Sequence, residues 1–469
     1  MTEPRRPNLL LITTDQHRPD AVGWAEEPLL AMPQLDRIAQ AGCAFTDAVS
    51  ICPVCQPARS CMLTGLYAHQ TGLLGNSGDL SPDLPTFPRA LQRAGYRTEM
   101  VGKGHWIHRK AQRPEDFRSI QARQRAAWGF DYWWEMSGKE LVDHHHCDYS
   151  EDLRQAGLLE QYLAETRRIR HQGYRGHLPV HERWIPSQWP WDPELFPDHR
   201  IGQVAEERLA SLAAGSQPFL LWASFVGPHP PFNPLPDRLA AEPEDDGSAA
   251  IPPDRTISTE ERRGIGILRR SYRAMLRTID ERIGRLLDQL DRLGLSDDTL
   301  VVFTADHGEM LGDHGLLHKN SFYRSSVGIP LAMCGPGVQA GRRYRQPVEL
   351  TDVTATLLEA AGLTPAEELA GGERLPTRSL LGANDAQPLR EHAFAGNAGW
   401  RMLQTDAFKY ARRRSGSADR SVLFDRQVDP AEQRNLADDP GCRDVLLDCQ
   451  ERLLDTLAST PAPVPCWPD

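Results

Sequence analysis

Four short apolar runs, each stopping abruptly at polar or charged residues, constrain this chain more than any other feature. Residues 9–12 (LLLI) run into Asp15 and Gln16, and residues 98–101 run into Lys103 and His105. Residues 219–222 (FLLW) lead through Phe225 and Val226 to His229, and residues 300–303 (LVVF) reach Asp306 and His307. Unbroken apolar runs suit strands covered on both faces, as in parallel sheets. Helical patterns lie between them. Residues 272–293 carry apolar side chains at 272, 275, 276, 279, 283, 286, 287 and 290 and stop at Gly294, while residues 84–94 and 351–361 stop at Gly95 and Gly362. Strands alternating with helices predict an α/β fold, a large mostly parallel central sheet flanked by helices. Ligands bind such sheets beyond the carboxyl ends of the strands, so the polar residues that close the four runs are expected to meet in one cleft.

With 469 residues the chain has room for one large domain and a smaller one. The strand–helix alternation occupies residues 1–375. Residues 376–469 read as a small C-terminal α+β subdomain, with an antiparallel sheet and a closing helix. Residues 106–200 break the pattern. They hold Trp106, Trp128, Trp133, Trp134, Trp184, Trp189 and Trp191, seven of the eleven tryptophans, without clear periodicity. Two readings stay open for this stretch: an insertion that covers the cleft and offers rings to stack a sugar or aromatic group, or a packed surface subdomain.

A formal net charge of -11 argues against nucleic acid as a partner, and it means that an anionic substrate needs a local cluster of positive groups. No apolar run is long enough to cross a bilayer, and residues 9–12 are too short for a signal-peptide core, so no membrane partner and a cytoplasmic location are expected. Nine cysteines, an odd number without a framework, fit reduced thiols better than disulfides.

The chemistry centres on residues 52–65, CPVCQPARSCMLTG. Pro57 suits the first turn of a helix, where its missing N–H leaves nothing unpaired. Cys55 then sits at the helix N-terminus, where free N–H groups favour negative charge, and Arg59 can face the same way one turn on. A nucleophile beside a guanidinium at a helix start is a good site for an oxyanion ester. Cys52 and Cys55 also have redox-pair spacing. Half a zinc site finds no second cysteine pair, and Cys61 reads as core packing.

This segment resembles the signature of the type I sulfatases of the alkaline phosphatase superfamily, C-x-P-x-R followed by T-G, and matches it at Cys55, Pro57, Arg59, Thr64 and Gly65. The resemblance extends to residues 8–16, to Asp306-His307-Gly308-Glu309 through Asp313-His314-Gly315 and Lys319, to residues 350–362, and to residues 423–436. It implies that a separate maturation enzyme oxidises Cys55 to formylglycine, whose hydrated aldehyde is the nucleophile. It implies a divalent metal held by Asp15, Gln16, the modified Cys55, Asp306 and His307. Many relatives have Asp where Gln16 stands and Asn where His307 stands. An oxygen-rich site suits calcium and an imidazole tilts toward transition metals, so calcium and manganese are both carried forward.

The implied reaction is hydrolysis of a small-molecule sulfate monoester, aryl or carbohydrate, through a covalent sulfo-enzyme. Arg59, Lys103 and Lys319 would hold negative oxygens, His229 would protonate the leaving alcohol, and His105 would take the proton from the second hydroxyl. Taken singly, Lys103 could be a solvated strand-end lysine and His229 a loop cap. His144-His145-His146-Cys147-Asp148 reads as a solvated loop or a second metal site, and Asn76 and His314 are further cleft candidates. Long insertions often carry interfaces, so a homo-oligomer is an expectation. The rival within the superfamily is a phosphonate monoester or phosphodiester hydrolase. Those relatives share the Asp–Gln and Asp–His metal set and Asn76 but lack counterparts of Lys103 and His105. A rival of another class is a non-catalytic or thiol-redox protein on the same fold.

Overall fold

The computed structural model describes residues 6–108, 113–171, 187–253, 255–370, 372, 375–384, 386–414 and 421–461. In chain order the strands are β1 (Asn8–Asp15), β2 (Cys43–Val49), β3 (Arg97–Gly102), β4 (Tyr132–Glu135), β5 (Phe219–Pro228), β6 (Thr299–Ala305), β7 (Gly328–Cys334), β8 (Arg342–Tyr344), β9 (Val348–Glu349), β10 (Ala393–Gly396), β11 (Trp400–Gln404), β12 (Phe408–Arg413) and β13 (Ser421–Asp425). The first nine form one sheet in the order β4-β3-β5-β1-β6-β7-β2-β8, with β9 also on β2. All neighbours are parallel except at β7, which runs antiparallel to both β6 and β2. The carboxyl ends of β4, β3, β5, β1, β6 and β2 therefore share one edge.

The alternation along the strands shows why the apolar runs are unbroken. Leu9 and Leu11, Leu220 and Trp222, and Leu300 and Val302 enter one core. Leu10 and Ile12, Leu221 and Ala223, and Val301 and Phe303 enter the other. Helices Cys55–Thr64 and Asp352–Ala360 cover the first face, and Pro197–Ala213 and Thr259–Arg292 cover the second. The last begins thirteen residues before the apolar stripe read from sequence. A reciprocal cap starts it, in which the Glu261 N–H donates to Ser258 Oγ at 3.1 Å and the Ser258 N–H to Glu261 Oε2 at 2.6 Å.

Residues 106–200 depart from both sequence readings at their start. β4 pairs in parallel with β3 and extends the central sheet. Trp106, Trp128 and Trp133 are buried against Phe130 and Trp222, with Trp106–Trp128 centroids 5.1 Å apart and edge-on. These rings fill the core, so they offer no stacking platform to a ligand; Trp184 lies outside the described residues. The second sheet, β10-β11-β12-β13, is antiparallel throughout, and helix Arg443–Ser459 packs on it. Among the described residues no helix is long and apolar enough to cross a membrane.

Candidate active site

The signature residues first explain their own helix. Val54 caps it in extended conformation, Cys55 opens it, and Pro57 lies in its first turn, where no intrahelical donor is missed. Gly65 ends it with φ 73°, the left-handed conformation that a side chain resists. The loop 50–54 follows the carboxyl end of β2, so the helix starts at the edge where the other strands stop. Asn76 Oδ1 accepts from the Gln56 N–H at 3.0 Å, capping the helix from behind the nucleophile.

β1 and β6 supply the carboxylates. The register between β1 and β5 slips after Thr13 and sets Asp15 opposite Pro228. Gln16 then turns with φ 67°, and its N–H donates to Asp306 Oδ1 at 2.9 Å. The Asp306 N–H in turn reaches Thr14 O at 3.2 Å. His307 donates from Nδ1 to Gly308 O at 3.0 Å, which leaves its Nε2 lone pair facing Cys55 Sγ at 3.2 Å. Nε2 is also 3.9 Å from Asp15 Oδ1 and 3.7 Å from Asp306 Oδ1. Asp15, Cys55, Asp306 and His307 are all buried, and one ligand atom from each lies within 4.8 Å of the others. Two carboxylates, an imidazole nitrogen free to coordinate and a sulfur on one point fit a divalent cation. Gln16 is placed differently. Its Oε1 accepts from Lys319 Nζ and its Nε2 donates to Glu309.

Positive groups ring the cluster. Lys103 Nζ pairs with Asp15 Oδ2. Arg59 donates from Nε to Asp306 Oδ2 at 2.9 Å, and from Nη1 to Lys103 O at 2.7 Å and Ser224 Oγ at 2.8 Å. Its Nη2 has no hydrogen-bond partner and stands 3.6 Å from Asp15 Oδ2. Lys319 Nζ lies 2.9 Å from His229 Nε2, and His229 Nδ1 donates to Pro230 O at 2.6 Å. Burial pushes the Cys55 thiol up, but Lys319 and Lys103 outweigh it and hold the thiol well below its ordinary range. Burial and Cys55 raise the Asp15 carboxyl, and Lys103, His229 and Arg59 together hold it well below the usual carboxylate range. Burial lowers His105, whose ring faces the Cys55 sulfur and whose Nδ1 has no partner.

The sequence-derived residues Asp15, Gln16, Cys55, Arg59, Lys103, His105, His229, Asp306, His307 and Lys319 thus converge. Others do not join them. His314 stacks on Tyr323 at 3.6 Å and bonds Ala431 O at 3.1 Å. Asp148 takes Arg118, Gln121 and the Glu135 N–H, and among the described residues the histidines at 144–146 form no metal cluster. Cys52 and Cys55 are separate thiols, and burial pushes Cys52 up to about 12.

Three supporting groups escaped the sequence reading. Glu309 anchors Gln16 and accepts from the Leu311 N–H at 3.0 Å. Asp198 Oδ1 accepts from the N–H groups of Val226 at 3.1 Å and Gly227 at 2.8 Å, just before His229. Lys139 is buried and donates to Pro231 O at 3.5 Å on the other side of that histidine. Glu309 had a signal, three residues after Asp306; Asp198 in a first helical turn and Lys139 in a loop had none.

Comparison with known proteins agrees with this geometry. The family model described as Sulfatase matches residues 7–363. The model described as N-sulphoglucosamine sulphohydrolase, C-terminal, matches residues 312–459. An ulvan-active sulfatase of Formosa agariphila is 29% identical over 93% of this chain and 78% of its own. Among solved structures, a phosphonate monoester hydrolase of Agrobacterium radiobacter superposes with TM-score 0.73 at 24% identity, covering 97% of this chain and 96% of that one. A protein in complex with its substrate D-glucosamine-2-N,6-O-disulfate superposes with TM-score 0.71 at 21% identity, covering 97% and 98%. At those identities the two structures speak to the fold alone.

Proposed function

Because the chain belongs to the sulfatase family, we propose that it hydrolyses a sulfate monoester with residue 55, after conversion of Cys55 to formylglycine by a maturation enzyme, as the nucleophile. The observation that carries this reading is the meeting of Cys55, Asp15, Asp306 and His307 ligand atoms within 4.8 Å of one another. The Cys55 sulfur marks where the hydroxyls of the hydrated aldehyde would stand. A calcium or manganese ion held by Asp15, Asp306, His307 and residue 55, with the Gln16 carboxamide beside it, would supply Lewis-acid polarisation of a sulfate oxygen.

The side chains divide the remaining work. One hydroxyl of residue 55, its proton released to solvent under the pull of Lys103 and Lys319, attacks sulfur in line, and the ester S–O bond breaks. The departing oxygen takes a proton from His229 Nε2, which lies 2.9 Å from Lys319 Nζ, and solvent restores that proton before the next turnover. His105, held neutral by burial, accepts the proton of the second hydroxyl. The C–O bond to sulfate then breaks, the aldehyde returns, and water hydrates it again. Lys319 and Lys103 balance the charge of the sulfate oxygens. Arg59 commits Nε and Nη1 to the protein itself, so it supports Asp306 and leaves Nη2 for the substrate side.

The Gln16 and His307 pair and Asn76 favour a second reading, hydrolysis of a phosphonate monoester or phosphodiester at the same site. The deciding experiment is kcat/KM on an aryl sulfate against an aryl phosphonate monoester. The sulfatase reading expects the sulfate to be preferred, and a much higher value on the phosphonate overturns it. A thiol-redox reading predicts Cys55 wholly as thiol in protein from its native host.

A further inference from the structure

A catalytic lysine carried on irregular chain is only as well placed as the contacts that fix that chain. Lys319 lies in such a stretch, since residues 316–323 belong to no helix or strand. His318 and Asn320 on either side of it take φ 68° and 77°, the left-handed region that a side chain resists, so the surroundings impose this path. On the active-site side the loop is tied by the Met310 N–H to His318 O at 2.7 Å and by the Asn320 N–H to Pro53 O at 3.1 Å.

The other ties come from the C-terminal subdomain. Asn320, Phe322 and Arg324 alternate along the segment, and a backbone group of each bonds a side chain of that subdomain. Trp400 Nε1 donates to Asn320 O at 3.2 Å, Lys409 Nζ donates to Phe322 O at 3.3 Å, and the Arg324 N–H donates to Glu432 Oε2 at 2.7 Å. Asn397 Nδ2 adds a bond to Asn320 Oδ1 at 2.6 Å. The Phe322 ring is buried in the apolar cluster that the second sheet builds from Ala395, Trp400, Met402 and Phe424.

Lys409 and Glu432 are both buried, and they pair with each other. A buried ion pair is an inefficient source of stability, because apolar residues of similar volume often serve as well. Here each partner makes a further bond, and both of those bonds end on the loop that carries Lys319. The pair thus joins β12, the chain after β13 and residues 322–324 at one point. At the working end of the loop, Lys319 Nζ bonds Gln16 Oε1 and lies 2.9 Å from His229 Nε2.

We propose that Lys409 and Glu432, with Asn397, are positioning residues for Lys319: from outside the cleft they fix the 320–324 backbone and so keep the Lys319 ammonium between Gln16 and His229. The proposal rests on the sulfatase reading above and adds to it residues that touch no substrate. The test is a double-mutant cycle read as kcat/KM per aldehyde-bearing molecule, with residue 55 quantified by mass spectrometry and folding checked by denaturant unfolding. Lys409→Met/Glu432→Met removes both charges together, so neither is left buried alone. It should lose roughly tenfold in the wild-type background, as misplaced catalytic groups do, and less than about twofold when Lys319→Met is already present. Lys409→Met/Glu432→Gln, which keeps an acceptor for the Arg324 N–H, should recover part of the loss. An equal loss in both backgrounds, or no loss in either, overturns the proposal. If the pair variants do not fold, Asn397→Ser, which drops the bond to Asn320 Oδ1, goes through the same cycle and is judged by the same two outcomes. Each cycle is run on an aryl sulfate and on an aryl phosphonate monoester. A non-additive cycle with the phosphonate preferred keeps the positioning role and removes the sulfatase reading. Additive losses with the sulfate preferred do the reverse, and turnover of neither by aldehyde-bearing protein removes both.

Discussion

Replacing Arg59 by methionine keeps most of the side-chain volume and deletes the charge beneath the nucleophile. The loss can be apportioned from the geometry. Lys103 O keeps a donor, because Ser224 Oγ also reaches it at 2.8 Å, so little is stranded there. Asp306 Oδ2 loses its 2.9 Å partner inside the protein, and Asp15 loses a guanidinium 3.6 Å away. Removing one member of a buried ion pair costs about 3–5 kcal/mol, because the other charge stays buried. That is a large part of the ~5–15 kcal/mol that holds a domain together. The assay is denaturant unfolding of wild type and Arg59→Met, each with chelator and with added divalent cation. The destabilisation should be full in chelator and smaller with cation, which supplies positive charge to the same carboxylates. A loss below about 1 kcal/mol in chelator, typical of exposed pairs, would refute this view of Arg59 as a buried counter-charge.

Further outcomes follow from other parts of the molecule. Burial lowers His17 from 6.5 to about 4, although its bond to Ala21 O opposes the shift. Below pH 6.5 the unfolded chain binds a proton that the folded one refuses, so stability falls as pH drops from 6.5 toward 4 and is unaffected above 6.5. The fall is on the order of 3 kcal/mol, and unfolding curves of His17→Gln should have a shallower slope across that window. Asp198→Ala strands two backbone donors beside His229; kcat on an aryl sulfate should drop by roughly tenfold or more with KM little changed, as misplaced catalytic groups do, and Asp198→Asn should recover part of it. Trp106→Ala opens the aromatic core and should cost about 3–5 kcal/mol in denaturant unfolding, whereas Trp191→Ala, at a half-buried position, should cost under about 1 kcal/mol.

The parts of the fold legible from sequence are those whose burial is two-sided. β1, β5 and β6 enter both cores, so their runs are unbroken and their polar ends stand out, and Asp15, His229, Asp306 and His307 follow directly. β3 is shorter, yet Lys103 still marks its end. β4 was illegible because four residues, Tyr132 to Glu135, cannot show a period, and its tryptophans read as equally suited to a pocket or a core. The first turns of helix Thr259–Arg292 are densely charged and start from a cap rather than a stripe. Asp198 and Lys139 act on the His229 loop across long stretches of chain, and a one-dimensional pattern carries no trace of such contacts. The helix start at Cys55 was legible from Pro57, with Arg59 one turn on, whereas the conversion of Cys55 to formylglycine came only from the resemblance to the sulfatase signature.

Catalysis at this site depends on the chemical state of residue 55. The direct measurement is peptide mass spectrometry of that residue in protein co-expressed with a formylglycine-generating enzyme, paired with aryl sulfate turnover on the same samples. Turnover should rise in proportion to the fraction of aldehyde and vanish in Cys55→Ala. Undiminished turnover from protein whose residue 55 is entirely thiol, or is alanine, would contradict it.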